Sequence, residues 1–290
     1  MIKIYSKVPD EIGYGIRTAA NNIKQSAPDN IEFVDTPDKA DYRFVHLIGE
    51  GELNEFTLPM DRMLVFFYCF KTGGSANIPS KELYRDILSK AIVMSYYPLD
   101  EWVTDISFDM IRTPIGVDTD VFVRTNYGDR NAVMTTGYVA ESEFIKEMYQ
   151  AASLNMLETN HVGHNFNFGP GFNHFENVSV EKMVEIYNKS RFCNGMRYVE
   201  GMELGNIEGI LCGCRPICLD YPMYRYWFDQ TSIFIPEILD FDERVMALTE
   251  AMLNDVKGPV TEEEREYVVN RFGSHIVYPK LWTEILRRIK

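Results

Sequence analysis

The chain is short of cysteine, of basic charge and of long apolar runs, and each shortage excludes something. Five cysteines in 290 residues are an odd number in strand-like settings, which argues against the disulfide framework of a small secreted protein. Cys212, Cys214 and Cys218 crowd together, but their spacing is not the paired C-x2-C of a zinc site, and the segment reads as a helix end followed by a buried strand. His161, His164 and His174 lack the helical frame of an H-E-x-x-H motif. No metal is expected at either place. Lys and Arg number 29 against 43 Asp and Glu, a net charge of −14. Surfaces that bind a phosphate backbone are normally basic, so nucleic acid is not a favoured partner. The late cluster Arg287, Arg288 and Lys290 reads as a solvated helix face. No apolar run reaches membrane-spanning length, so no transmembrane segment is expected. The opening Met1-Ile-Lys-Ile-Tyr-Ser-Lys reads as a strand rather than a signal peptide, and the expected location is cytoplasmic.

What is present is enough apolar content, 46%, to build the cores of two ordinary domains. Strand patterns alternate with helical ones, which predicts an α/β fold. Residues 2–8 form a strand pattern, Gly13-Tyr14-Gly15 a turn and residues 16–25 a helix, the opening of a Rossmann-like unit. The same strand–glycine–helix order returns at Ala132–Gly137 and residues 142–157. Neither glycine loop carries the full G-x-G-x-x-G fingerprint. Met63–Phe70 is an apolar run suited to a central strand, and the loop after it holds Lys71 and Thr72. Ligands of open α/β sheets bind beyond the carboxyl ends of strands. His46, Tyr68, Lys71 and Thr72 are therefore candidates for one side of a site, although His46 also suits a buried, hydrogen-bonded strand histidine.

The most informative stretch is residues 196–219. A polar loop runs through Glu200, Gly201 and Gly205, a short apolar helix covers residues 206–212, Gly213 closes it, and a buried strand spans Pro216–Leu219. A loop feeding a helix N-terminus offers free N–H groups and the positive end of the helix dipole to an anion. Glu200 in the loop and Glu208 in the first turn could both edge that pocket, as paired acceptors for hydroxyls. Glu208 also fits an ordinary helix start, three positions after a Gly205 N-cap.

Glu200, Gly201, Leu204, Glu208, Gly213 and Pro216 match the E-x7-E motif of retaining GT-B glycosyltransferases, and Met202, Ile207, Ile210 and Ile217 are conservative matches. Glu203 and Gly205 depart from it. Upstream, Pro114, Gly116, Val117, Asp118 and Phe122 resemble the family's Ile-Pro-Asn-Gly-Val-Asp-x-x-x-Phe segment, with Ile115 replacing the Asn. Val178-Ser179-Val180-Glu181 is similar to a helix start that lines the family's base pocket.

The resemblance implies an α/β GT-B fold: two Rossmann-like domains facing across a cleft, with a C-terminal helix crossing back to the first. The expected division is an acceptor-side domain at 1–124, a nucleotide-sugar domain at 125–275 and the returning helix at 276–290. It implies a glycosyltransferase that moves a sugar from a nucleoside diphosphate sugar to an unidentified acceptor with retention, using no metal and no cofactor beyond the donor substrate. Glu200 would contact the transferred sugar beside the reacting centre, and Glu208 would hold the ribose. Gly201, Met202, Glu203, Leu204 and Gly205 would offer backbone N–H groups to sugar and diphosphate. Ser179 would line the base pocket, and Gly137, Gly13 and Gly15 would shape the cleft. One departure stands out. Where the family carries Gly-Arg and a following Lys against the diphosphate, this chain reads Gly137-Tyr-Val-Ala-Glu-Ser-Glu143. Arg197, Lys189, Arg191 or Lys146 could supply the missing charge. A non-catalytic protein with a decayed donor site is the alternative, and a dinucleotide enzyme a third reading.

Overall fold

The structure, a computed structural model, describes residues 1–8, 14–47, 59–68, 81–97, 99, 103, 105–125, 130–137, 143–197, 202–237 and 240–289. The chain divides into two compact units, Met1–Gly116 with Ser274–Lys290, and Val117–Gly273.

The first unit holds β1 (Ile2–Ser6), α1 (Tyr14–Gln25), β2 (Ile31–Val34), β3 (Tyr42–Leu47), β4 (Met63–Phe67), α2 (Lys81–Lys90), β5 (Ile92–Ser95) and β6 (Met110–Arg112). The strands form one parallel sheet in the order β2-β1-β3-β4-β5-β6. Every residue of β4 is buried, as a central strand covered on both faces requires. The terminal helix of the chain (Ser274–Arg288) belongs to this unit. Trp282 donates its indole N–H to the Ile23 carbonyl at 2.8 Å and packs its ring against Phe33 and Phe44. Arg288 grips Asp109 through two bonds of 2.7 and 3.0 Å. Tyr278 accepts the Gly116 N–H at 3.0 Å and donates to the Gly116 carbonyl at 3.1 Å. A Cβ at position 116 would lie 2.8 Å from both Ser274 Cα and the Tyr278 ring, which explains the glycine of the segment around Val117. This helix starts at Ser274, two residues before the expected boundary at 276, and Pro279 lies inside it.

The second unit holds β7 (Ala132–Gly137), α3 (Ile145–Leu154), β8 (Glu158–Gly163), β9 (Phe172–Phe175), α4 (Val180–Lys189), β10 (Ser190–Gly195), α5 (Leu204–Leu211), β11 (Arg215–Leu219), α6 (Pro222–Phe228), β12 (Ile233–Ile235), α7 (Phe241–Asn254) and α8 (Glu262–Phe272). Its strands form a second parallel sheet, β12-β11-β10-β7-β8-β9, the strand order of a dinucleotide-type Rossmann domain. The His161–His174 stretch joins the end of β8 to β9, and the two strands pair in parallel. Alternation of Asn and His with apolar residues hid their pairing. Ser179 caps α4 by accepting the Lys182 N–H at 3.3 Å. Thr261 and Glu264 form the capping box expected at α8. Glu264 also holds the buried Arg215 in a bidentate pair of 2.5 and 2.9 Å, while the carbonyls of Thr231, Gly258 and Pro259 accept its other protons. A charge so deep in a core persists only with full pairing.

Cys193, Cys212, Cys214 and Cys218 are buried free thiols. Among the described residues no cluster of His, Cys, Asp or Glu is arranged to hold a metal ion, and no helix is long and apolar enough to cross a membrane.

Tyr278→Phe leaves the buried N–H and carbonyl of Gly116 without partners. It is expected to lower unfolding stability by about 1–3 kcal/mol, read as a drop in the urea midpoint without a change in slope.

Candidate functional site

In the second sheet the chain leaves β7 towards β8 on one side and leaves β10 towards β11 on the other. Crossovers departing in opposite directions open a crevice beyond the carboxyl ends of these two neighbours. Thr136 and Gly137 close β7 there, and Gly195 closes β10. Gly137 has φ +143°, a region that side chains rarely adopt. A Cβ on Gly195 would lie 2.5 Å from the Asn206 amide nitrogen and 2.6 Å from Cys218 Sγ. That glycine lets the start of α5 sit tightly on the strand end.

Arg197 stands just past β10 and is held at both backbone and side chain. Its N–H bonds the Tyr224 hydroxyl at 3.2 Å, and the same hydroxyl donates to its carbonyl at 3.1 Å. The guanidinium donates to the carbonyl and hydroxyl oxygens of Thr136, both at 3.3 Å. It pairs with two nearly buried carboxylates, Glu203 at 3.1 Å and Glu143 at 3.4 Å. Of the four cations considered as substitutes for the missing pair, Arg197 is the one at this crevice. Lys189 pairs with Glu185, Arg191 with Asp255, and Lys146 lies over the Phe241 ring.

Helix α5 begins earlier than its sequence suggests. Glu203 occupies the N-cap and Leu204 the first helical position, so Gly205 is inside the helix rather than capping it. The first turn carries no acid, and Glu208 lies one turn further in, which removes its reading as a helix-start glutamate. Glu208 is half-buried and accepts the Tyr187 hydroxyl proton at 3.2 Å. Burial pushes its carboxyl up to about 7, against the lowering effect of that hydrogen bond. Gly205 faces the same group: a Cβ there would lie 3.1 Å from the Tyr187 hydroxyl, 3.3 Å from Glu203 and 3.6 Å from Thr136. Met202 is buried.

The structure thus gathers Gly137, Arg197, Glu203, Gly205 and Glu208 at one place. Ser179 is at the far end of α4 from Tyr187, with its hydroxyl engaged in capping. Glu200 and Gly201 lie outside the described residues, as do Gly13, Lys71 and Thr72. In the first unit, Gly15 is the second residue of α1. His46 is buried near the end of β3, with Nε2 3.2 Å from Ser6 Oγ and Nδ1 3.0 Å from Tyr68 Oη. Burial pushes its pKa down to about 3, so the ring is neutral at ordinary pH. His161 is likewise buried, between Thr135 Oγ1 and the His164 carbonyl, and pushed down to about 4. Sequence reading missed Glu143, Thr136, Tyr187 and Tyr224 as members of the cluster. Glu143 was visible only as an acid where cations were expected.

Solved structures share the fold that carries this crevice. HepE from Anabaena, determined with UDP and glucose, matches at a TM-score of 0.75 over 100% of both chains with 7% identity. The chain has the GT-B fold. A glycosyltransferase of avilamycin A biosynthesis matches this GT-B chain at 0.66, with 13% identity over 99% of this chain and 98% of that one. Sucrose-phosphate synthase from Thermosynechococcus elongatus matches at 0.65, with 13% identity over 97% and 80%. At these identities the likeness is one of GT-B architecture. The sequence matches no family model and no curated protein.

The Glu208 carboxyl gives the site a pH signature. Its pKa is raised in the folded chain, to about 7, so the native state keeps a proton that the unfolded chain has released, and stability falls as pH rises from the unfolded value towards 7. Glu208→Gln removes that fall. The difference in Tm, variant minus wild type, is expected to rise between pH 5 and pH 8, and a flat difference would contradict the burial of this carboxyl.

Proposed function

We propose that the chain is a glycosyltransferase of the hexosyl-transferring kind that takes its sugar from a nucleoside diphosphate sugar and retains the anomeric configuration. The observation that carries this reading is the convergence of Gly137, Arg197, Gly205 and Glu208 at the strand-order reversal of the second GT-B domain. The E-x7-E resemblance supplies the roles. Glu208 holds the ribose hydroxyls, and backbone N–H groups from Gly201 to Gly205, at the start of α5, receive sugar and diphosphate. Glu200 lies against the transferred sugar and stabilises the positive charge that develops at its anomeric carbon. The bond from that carbon to the diphosphate breaks, and the diphosphate leaves with the electron pair. The acceptor oxygen forms the new bond, and its proton passes to the departing diphosphate oxygen. N–H groups and Arg197 offset the charge on the leaving group, so the chemistry needs no metal ion. Ser179, at the cap of α4, belongs to the base pocket.

The acceptor side falls to the first unit, with Gly13, Gly15 and Lys71. His46 contributes there through Ser6, whose hydroxyl it orients across 3.2 Å.

A second reading, sugar–nucleotide binding without transfer, is favoured by one observation: the charge of Arg197 is already matched by Glu143 and Glu203.

Thermal shift with a panel of nucleoside diphosphates and their sugars separates these readings. One nucleoside diphosphate is expected to raise Tm, and Glu208→Ala to abolish the shift. No shift with any of them would remove the nucleotide site altogether. Glu200→Ala is expected to cut donor hydrolysis or transfer at least a hundredfold while leaving nucleotide affinity within about threefold, the signature of a group that acts at the transition state. Nucleotide binding with no turnover in the wild-type chain would favour the second reading.

A further inference from the structure

Tyr187 has no task in the proposed transfer, yet its hydroxyl is aimed at the site. The residue stands in the last turn of α4 and is fully buried. A buried hydroxyl needs a partner, and here it donates to Glu208 Oε2 at 3.2 Å. Its surroundings fix it in place. Phe122 packs edge-on against the ring, with centroids 6.4 Å apart. The Tyr187 carbonyl accepts the Ser190 N–H and, at 3.1 Å, the Cys214 thiol. A Cβ at position 205 would lie 3.1 Å from the hydroxyl, so any side chain there would press on it. Phe122 and Glu208 belong to two separate stretches that resemble the GT-B family. Tyr187 belongs to neither and joins them.

Among the described residues the Tyr187 hydroxyl is the one hydrogen-bond partner of the Glu208 side chain. A carboxylate has acceptor sites on both oxygens. The bond at Oε2 fixes the rotation of the group and leaves Oε1 for a ligand. Two neighbouring hydroxyls, as on a ribose, suit an acceptor of that kind.

Only the ionised group keeps its full accepting capacity. Burial pushes Glu208 up to about 7, and the Tyr187 hydrogen bond opposes that by favouring the carboxylate. The other ionisable groups packed around this helix are engaged elsewhere. Cys212 on the same helix and Cys193 on β10 are thiols that burial keeps protonated. Cys214 turns its thiol to the carbonyls of Tyr187 and Ser190. Arg265 of α8 holds the Leu211 carbonyl and Glu262, Arg130 holds the carbonyls of Ser190 and Cys212, and Glu203 pairs with Arg197. Burial, followed by the Glu208 charge, pushes the Tyr187 hydroxyl up, so it remains a donor at neutral pH.

We propose that Tyr187 is a positioning residue of the nucleotide site: its hydroxyl holds the Glu208 carboxylate in one orientation, so that the carboxylate accepts both ribose hydroxyls and selects ribonucleotides over dideoxynucleotides. This rests on the nucleotide reading of the site. The same hydrogen bond favours the ionised form on which that acceptance depends.

The test measures Kd by calorimetry between pH 5 and pH 8 for UDP, ADP, GDP and CDP, and for the dideoxy form of whichever binds best. It uses the full chain as wild type, Tyr187→Phe, Glu208→Gln and the double variant, with near-ultraviolet circular dichroism to establish that each is folded. The phosphates titrate alike in both nucleotides, so the difference between the two reports Glu208. Tyr187→Phe is expected to weaken the ribonucleotide about tenfold at pH 7, the scale of a hydrogen bond to a charged group, and to leave the dideoxynucleotide within about twofold. The rise of ribonucleotide affinity with pH is expected to move to higher pH in this variant. Beside Glu208→Gln the same change is expected to have no effect. Equal losses for both nucleotides, or a loss that persists beside Glu208→Gln, overturn the proposal and mark Tyr187 as packing alone. So does an unchanged ribonucleotide affinity or pH profile in Tyr187→Phe, or a wild type that binds both nucleotides equally. In each of these cases nucleotide binding itself stands. Binding of no nucleotide to any of the proteins overturns the nucleotide reading and this proposal with it.

Discussion

Right-handed crossover between parallel strands is the constraint on which the second unit depends. A parallel strand pair needs a long connection, and that connection packs back on the sheet with one hand only. A sheet built outward from its middle must therefore place helices on opposite faces either side of the point where its order reverses. Here that point lies between β7 and β10. The carboxyl ends of these two strands are left uncovered by either crossover. Gly137 at the end of one and Arg197 just after the other meet at the crevice although they are far apart in the chain. The first unit obeys the same rule between β1 and β3, and Ser6 and His46 meet there at 3.2 Å.

Close approach of α5 to the sheet does the rest. Gly205 and Gly209 lie one turn apart on the same helix face. A Cβ at 209 would lie 2.6 Å from Cys193 Sγ on β10, so the helix can rest on the strand only with hydrogen at that position. This tight seat carries the helix start, with Glu203 and Gly205, up to Arg197 and Thr136. It also buries the Glu208 side of the helix against Tyr187. The carboxyl there is pushed up to about 7 by burial, and burial followed by the nearby Glu208 charge pushes the Tyr187 hydroxyl up as well.

The electrostatics of the crevice follow from its composition. One guanidinium faces two carboxylates that are nearly buried, and such charges persist only when paired. Arg197 is thus a structural necessity for Glu143 and Glu203 as much as they are for it.

Local order along the chain was legible in sequence, because strand and helix periodicity, the Thr261–Glu264 capping box, the Ser179 cap and the closing Gly213 are all short-range features. The two-domain GT-B architecture was an implication of the E-x7-E resemblance, whereas the α/β class was legible in the alternation of strands and helices. The start of α5 was not. Gly205 looked like a cap, and only the packing of Gly195 and Asn206 placed the cap at Glu203. His46 and His161 find hydroxyl partners on neighbouring strands, Ser6 and Thr135, which no local pattern in the sequence shows. The sequence alone determined the α/β class, the local elements and the chemical character of the site residues, because periodicity and turn chemistry are written in consecutive positions. Which acid meets which cation was decided by tertiary structure, because Glu143 and Arg197 meet only once β7 and β10 lie side by side.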